Sequence, residues 1–192
     1  GLLGALGIMT ALFEREASGE GQWVQSNLLQ AGLQLLDFQA ARYVMSGEVA
    51  KQEGNDHPTN IPTSAYQTAD GHMNVAASGT TMWKKLAAIL GREDLVTHPD
   101  FLDAKLRSKN RKALNAEIES VMKTKPSKFW EDQLNKAGIP CGPIYTIDKT
   151  FADPQVQHLQ ATAQVEHPKL GKLTLLNQTD RKSTRLNSSH IP

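Results

Sequence analysis

Residues 54–78 read GNDHPTNIPTSAYQTADGHMNVAAS and hold the densest set of side chains that could do chemistry. Asp56 and His57 are adjacent, and His72 follows a turn glycine. This set could bind a metal ion, act in hydrolysis, or shape a pocket whose reactive group lies elsewhere. Neighbouring side chains on extended backbone point apart, and no second histidine has the i, i+4 spacing of a helical zinc motif. We therefore predict a loop and hairpin here, with no metal.

Cys141 is a second candidate, because a thiolate is a strong nucleophile. A catalytic thiolate needs an electropositive setting or a nearby base, whereas residues 140–143 (PCGP) are apolar and constrained. We therefore predict that Cys141 is a small buried residue. The sequence has one cysteine, so an internal disulfide and a multi-cysteine zinc site are excluded, and we expect a reducing, cytoplasmic compartment.

Basic residues form a pair at Lys84 and Lys85 and a run at residues 105–112 (KLRSKNRK). Such runs can contact a phosphate, but they are usually solvated helix faces, and we predict solvated faces here. The formal net charge of +1 gives no reason to expect nucleic acid or an anionic membrane as a partner. Trp83 and Trp130 complete the apolar faces of two predicted helices, so we expect both in the core.

The 192 residues are 39% apolar and 21% charged, which is typical of a soluble globular protein. The apolar run at residues 1–13 is too short to span a bilayer. A helical pattern is already running at Gly1, so we expect the chain to start inside a larger protein. Residues 180–192 (DRKSTRLNSSHIP) lose all periodicity and look like a translated sequencing adapter. We predict a non-native tail there; the alternative is a native disordered tail.

The hydrophobic periodicity predicts a mixed α/β chain. The predicted helices are residues 1–13, 28–45, 80–90, 110–123, 126–137 and 147–152. The predicted strands are residues 22–27, 64–68, 72–77, 139–144, 163–166 and 172–176. Asp70 and Gly71 are expected to give the first hairpin a tight turn with a positive φ. Gly4 and Gly7 share a stripe of small residues, which predicts close approach of another element to the first helix.

Six segments of the sequence occur in an order that resembles a known family. They are residues 1–12 (GLLGALGIMTAL), 18–31 (SGEGQWVQSNLLQA), 54–78, 138–147 (GIPCGPIYTI), 153–156 (DPQV) and 165–173 (VEHPKLGKL). Together they resemble the class III CoA-transferases, the group that includes formyl-CoA transferase and carnitine CoA-transferase. The resemblance spans essentially all of residues 1–179.

This resemblance implies an α/β fold with a Rossmann-like large domain that binds coenzyme A and a smaller α/β domain. Residues 1–50 would end the first segment of the large domain. Residues 51–150 would form the small domain, and residues 151–179 would return toward the large one. Two subunits of the full-length protein would form an interlocked homodimer.

The resemblance also implies an acyl-CoA:carboxylate CoA-transferase, with a coenzyme A thioester and a carboxylic acid as substrates and no bound cofactor. The nucleophile of the family is an aspartate just upstream of the helix that begins here, so this chain would hold no catalytic residue. Gly54, Asn55, Asp56 and His57 match a glycine loop that closes over the active site, and we expect them to form a substrate-binding lid. Only Gly54 keeps the family's glycine.

Two other functions stay open at this point. An α-methylacyl-CoA racemase shares the fold and coenzyme A, but moves a proton at carbon and would need an acid–base pair, again upstream of Gly1. A non-catalytic fragment that only packs or binds is the third possibility. The segment upstream of Gly1 would distinguish the first two functions.

Overall fold

The computed structural model describes residues 1–177. The chain divides into two compact units, Gly1–Gly54 and Asn55 onward, and each is described by itself. This division after Gly54 lies close to the predicted start of the small domain at residue 51. The assignment of residues 1–50, 51–150 and 151–179 to domains of the family stays a prediction. The predicted non-native tail at residues 180–192 lies outside the described residues.

The first unit consists of three helices, α1 (Leu2–Ser18), α2 (Leu28–Leu35) and α3 (Phe38–Ser46). Helix α1 ends where Gly19 adopts a φ of 76° and donates its N–H to the carbonyl of Arg15. A Cβ at Gly7 would lie 3.1 Å from Cγ1 of Val24, so the predicted close approach to the first helix is confirmed. None of the three helices contains a buried residue.

Two predictions for the first unit are wrong. Residues 28–45 are not one helix, because Asp37 adopts a φ of 48° and separates α2 from α3. Residues 22–27 pair with no strand among the described residues and are therefore not a β-strand. Asn27 instead caps α2, and its side chain accepts the backbone N–H of Gln30 at 2.8 Å.

The second unit contains an antiparallel sheet of three strands in the order β1 (Thr63–Gln67), β2 (His72–Ala76) and β3 (Cys141–Pro143). Thr63 pairs with Ala76, and Val75 pairs with Cys141. The proline-containing β3 lies at a sheet edge, as predicted. The turn of the hairpin was predicted wrongly: four residues, 68–71, connect the strands, and Gly71 has no positive φ.

The second unit also contains seven helices among the described residues. They are α4 (Thr80–Ile89), α5 (Asp94–Thr97), α6 (Ala104–Lys109), α7 (Arg111–Met122), α8 (Ser127–Lys136), α9 (Ile147–Ala152) and α10 (Pro154–His158). Of these helices, α7 packs against β1 and α8 against β3. A second hairpin follows, with strands β4 (Thr162–His167) and β5 (Gly171–Leu176). The mixed α/β architecture agrees with the prediction, although α5, α6 and α10 were not predicted.

The core of the second unit lies between the sheet and helices α4, α7 and α8. Met73 and Val75 contribute the buried face of β2, and the alternation of buried and exposed residues in β1 and β2 is that of a half-buried sheet. Trp83 and Trp130 are 1% and 3% exposed, so their predicted place in the core is confirmed.

None of the helices in residues 1–177 is long and apolar enough to cross a membrane.

Arg107 corrects the prediction that residues 105–112 form a solvated face. The side chain is 2% exposed, and its Nη1 donates to the carbonyl oxygen of Phe101 at 3.0 Å. Its guanidinium carbon lies 5.9 Å from the ring centroid of Trp83, in cation–π contact. Burial lowers the pKa of Arg107. This arginine therefore packs inside the unit and is not free to contact a phosphate in solution.

Candidate functional site

Gly54 is the last residue of the first unit, and the other predicted lid residues, Asn55, Asp56 and His57, begin the second unit ahead of β1. Gly54 adopts a φ of +64°, a left-handed conformation that favours glycine. Gly54 and Asn55 are exposed, whereas Asp56 and His57 are half-buried. We refer to residues 55–62, which connect Gly54 to β1, as the 55–62 loop. Asn55, Asp56 and His57 thus belong to this loop and Gly54 precedes it, and the three side chains have different surroundings.

Asp56 is turned toward strand β1 and helix α7. Its Oδ1 accepts hydrogen bonds from Oγ of Ser64 at 2.6 Å and from Nδ2 of Asn115 at 2.8 Å. The oxygen of the same Asn115 amide accepts the phenol O–H of Tyr66 at 3.0 Å. The carboxylate of Asp56 therefore belongs to a side-chain network that joins the loop, the sheet and α7.

Tyr66 lies at the inner end of this network. The side chain is 2% exposed, and its pKa is raised well above the ordinary value, chiefly by burial and further by the charges of Asp56 and Glu119. A raised phenol pKa keeps the O–H protonated, so Tyr66 acts as a hydrogen-bond donor. No sequence pattern predicts this network, because Asn115 is 59 residues away from Asp56.

His57 closes a turn of its own loop. Its backbone N–H donates to the carbonyl of Thr63 at 2.9 Å. Its Nδ1 accepts the backbone N–H groups of Thr59 at 3.2 Å and Asn60 at 3.1 Å. The imidazole thus accepts backbone N–H groups of the following residues, as an Asx side chain does in many turns.

The two histidines of the opening segment have separate surroundings. His72 lines a surface cleft of about 160 Å³ together with Ser127, Lys128 and Tyr145. Within residues 1–177, no group of three or more His, Cys, Asp or Glu side chains is placed to hold a metal ion.

Cys141 lies in the edge strand β3, half-buried and packed against the core. Its Sγ is 3.7 Å from Oδ1 of Asn135, and burial together with the charge of Glu131 raises the pKa of the thiol. A raised pKa leaves little thiolate near neutral pH, which is the opposite of what a catalytic cysteine requires. The geometry agrees with a packing role for Cys141.

A second contact between the 55–62 loop and α7 was also missed by the sequence analysis. Nη2 of Arg111, the first residue of α7, donates to the carbonyl oxygen of Pro58 at 3.0 Å. Arg111 falls within the basic run that we predicted to be solvated. The loop is thus bound to α7 at two points, through Asp56 and through Pro58.

Comparison with known proteins gives a consistent result. The model of CoA-transferase family III matches residues 1–190. The chain is 32% identical over 167 residues to a succinyl-CoA:mesaconate CoA-transferase of Haloarcula marismortui, covering 87% of this chain and 41% of that protein. It is 29% identical over 168 residues to the human succinyl-CoA:glutarate CoA-transferase, covering 88% of this chain and 38% of that protein.

A solved structure agrees with these sequence matches. The crystal structure of a CAIB/BAIF family protein from Brucella suis superimposes with a TM-score of 0.78 at 30% sequence identity, covering 96% of this chain and 47% of that chain. The chain therefore spans less than half the length of these relatives. The match to the family model, over nearly the whole sequence, establishes that this chain belongs to CoA-transferase family III.

Proposed function

We propose that this protein, at the length of its relatives, is an acyl-CoA:carboxylate CoA-transferase. The observation that carries the proposal is the family match over residues 1–190. Two relatives named as CoA-transferases, each aligned over most of this chain, support it further. Cys141 packs against the core and burial raises the pKa of its thiol, which supports a reactive group elsewhere in the protein.

The proposed reaction uses an aspartate upstream of Gly1. Its carboxylate attacks the thioester carbonyl of the donor acyl-CoA, giving a mixed anhydride and releasing coenzyme A thiolate. The thiolate then attacks the aspartyl carbonyl, which forms an aspartyl thioester and releases the donor acid. The acceptor carboxylate attacks this thioester, which gives a second mixed anhydride and releases the thiolate again. The thiolate finally attacks the acceptor acyl carbonyl of this anhydride, which forms the new acyl-CoA and releases the aspartate carboxylate. Coenzyme A is a substrate throughout, and no bound cofactor is needed.

The 55–62 loop, together with Gly54, is proposed to cover the site where these intermediates form. Anhydrides and thioesters are sensitive to water, so excluding water protects the transferred group. The exposed side chain of Asn55 supports a contact with substrate, while the half-buried Asp56 and His57 hold the loop in place. We propose that the lid consists of Gly54, Asn55, Asp56 and His57 in these different roles.

The proposed donor is succinyl-CoA, and the proposed acceptors are dicarboxylic acids. Both substrate classes come from the names of the relatives, which use succinyl-CoA with mesaconate or glutarate. We further propose that the full-length protein is an interlocked homodimer in the cytoplasm and that the 192-residue chain alone is inactive.

The test compares two proteins: the 192-residue chain, and the chain extended at Gly1 to the length of its relatives. Each is incubated with succinyl-CoA and isotope-labelled mesaconate or glutarate, and the acyl-CoA products are identified by mass spectrometry. We expect labelled acyl-CoA from the extended protein and none from the 192-residue chain. Racemisation of a 2-methylacyl-CoA without transfer would overturn the proposal, as would turnover by the 192-residue chain.

A further inference from the structure

We infer that Asp56 is a positioning residue, which clamps the 55–62 loop to strand β1 through Ser64 and to helix α7 through Asn115 and does not contact substrate. The inference rests on the proposed function of this loop as a lid. Asp56 thereby has a different role from its exposed neighbour Asn55, although both were predicted to belong to one substrate-binding lid.

The geometry of the carboxylate supports a clamp. One oxygen, Oδ1, accepts both the Ser64 hydroxyl at 2.6 Å and the Asn115 amide at 2.8 Å. Ser64 lies in β1 and Asn115 in the middle of α7, so the two donors come from separate elements of the packed unit. Hydrogen bonds to a charged acceptor are shorter and stronger than those between neutral groups.

The Asn115 side chain has one orientation that satisfies both of its neighbours. Its oxygen accepts the Tyr66 phenol O–H at 3.0 Å, so its NH₂ group faces Asp56. Tyr66 is 2% exposed and cannot exchange this partner for bulk water. Because the Asp56 carboxylate only accepts, the NH₂ group of Asn115 must face it, and the amide oxygen is left to accept from Tyr66.

Other contacts hold the same loop at neighbouring positions. The N–H of His57 donates to the Thr63 carbonyl at 2.9 Å, and Arg111 donates to the Pro58 carbonyl at 3.0 Å. Both bonds hold the backbone that directly follows Asp56. The exposed side chains of the loop are Asn55, Thr59 and Asn60.

The negative charge of the substrates explains why the Asp56 carboxylate should face Ser64 and Asn115 and not the substrate. The acceptor is a carboxylate and the intermediate leaving group is a thiolate, and both are anions in the proposed reaction. A carboxylate at the lid surface would repel them. Asp56 is half-buried and bound to Ser64 and Asn115, whereas the exposed side chains of the loop end in neutral amide and hydroxyl groups.

The experiment uses Asp56→Asn and Asp56→Ala in the protein extended to the length of its relatives. An asparagine oxygen can accept the same two bonds, so we expect Asp56→Asn to stay within about twofold of wild type in transfer rate. Asp56→Ala loses both bonds, and we expect about a tenfold higher KM for the acceptor acid. Because a loosened lid admits water, the ratio of acyl-CoA hydrolysis to transfer should also rise in Asp56→Ala.

Asn115→Ala provides an independent variant at the other end of the clamp. We expect it to raise the acceptor KM and the hydrolysis ratio in the same direction as Asp56→Ala. The double variant should lose less than the sum of the two single losses, because the bond between Asp56 and Asn115 is already broken in either single variant. Fully additive losses would overturn the inference, and so would an Asp56→Asn variant as impaired as Asp56→Ala, since the charge itself would then be required.

Hydrogen exchange separates this inference from the proposed function. In the 192-residue chain, the backbone amide of His57 should exchange faster than in wild type when Asp56 is replaced by Ala. Its exchange rate should stay unchanged in Asp56→Asn. Asn55→Ala is the matched control, with no expected change at this amide. Unchanged exchange in Asp56→Ala would overturn the clamp even if the enzyme transfers coenzyme A. Conversely, absence of transfer by the wild-type extended protein would overturn the proposed function and leave the exchange result to decide the clamp.

Discussion

Asp70, in the loop between β1 and β2, caps helix α8 through Ser127, which follows it by 57 residues. Its Oδ1 accepts the backbone N–H of Ser127 at 2.7 Å and the Ser127 hydroxyl at 2.9 Å. The bonds from Ser127 favour the ionised carboxylate and lower the pKa of Asp70. A hairpin turn is thereby joined to a helix that packs against β3.

This cap predicts a loss of stability in acid. Because the folded-state pKa of Asp70 lies below that of the unfolded chain, its stabilisation is complete above about pH 4, the ordinary carboxyl pKa. It is lost as the pH falls through the lower folded-state value. Asp70→Ala should lower the melting temperature near neutral pH and weaken the decline in acid, as followed by circular dichroism. An unchanged acid profile in this variant would show that the cap does not contribute.

Two buried tryptophans allow a matched comparison. Nε1 of Trp130 donates to the Met122 carbonyl at 2.8 Å, whereas Nε1 of Trp83 is buried with no hydrogen-bond partner among the described residues. Replacing either tryptophan by phenylalanine removes a similar volume. We expect Trp130→Phe to lose about 1 kcal/mol more unfolding free energy than Trp83→Phe, because it also breaks a bond to a buried carbonyl. Urea unfolding of the two variants measures this difference, and equal losses would contradict it.

Long periodic segments of this sequence were predictable, whereas most of the short helices were not, with the six-residue α9 as the exception. Helices α4, α7 and α8 each present several apolar residues at helical spacing, so the pattern identified them. Helices α5, α6 and α10 have four to six residues, too few for a period to emerge. The break at Asp37 was missed because apolar residues continue at helical spacing on both sides of it.

For the candidate site, the sequence identified the loop but not what holds it. Asp56 and His57 stood out by residue type, and both lie in the predicted segment. Their partners could not be identified, because Asn115 is brought to Asp56 only by the packing of α7 beside β1. Arg107 was misjudged for the same reason, since its contact with Trp83 depends on how α6 packs.

Cys141 should react slowly with alkylating reagents. Burial and the charge of Glu131 raise the pKa of its thiol, so the thiolate fraction near pH 8 is smaller than that of an unperturbed cysteine, whose pKa is about 8.5. Iodoacetamide labelling, followed by mass spectrometry, should be slower than labelling of a cysteine peptide at the same pH. The urea-unfolded chain is the control, and it should react at the peptide rate. Faster labelling of the folded chain would restore Cys141 as a candidate nucleophile.

The two units should differ in their protection from hydrogen exchange. Helices α1, α2 and α3 bury no residue, whereas α7 buries Leu114, Ile118 and Met122. We expect amides of the first unit to exchange faster than those of α7, by on the order of 100-fold, in the 192-residue chain.

Leu2 and Phe13 are 85% and 83% exposed, so the chain should also self-associate, as measured by light scattering. A monodisperse monomer with uniform protection would contradict both expectations.

His57 offers a test of the lid that depends on a turn rather than on a charge. Its Nδ1 accepts the N–H groups of Thr59 and Asn60, and an asparagine side chain can accept a backbone N–H two residues on in the same way. In the protein extended to the length of its relatives, His57→Ala should raise the acceptor KM by about two- to tenfold, the worth of one such hydrogen bond. His57→Asn should recover most of this loss in steady-state kinetics. If His57→Ala leaves both the rate and the acceptor specificity unchanged, the loop does not act as a lid.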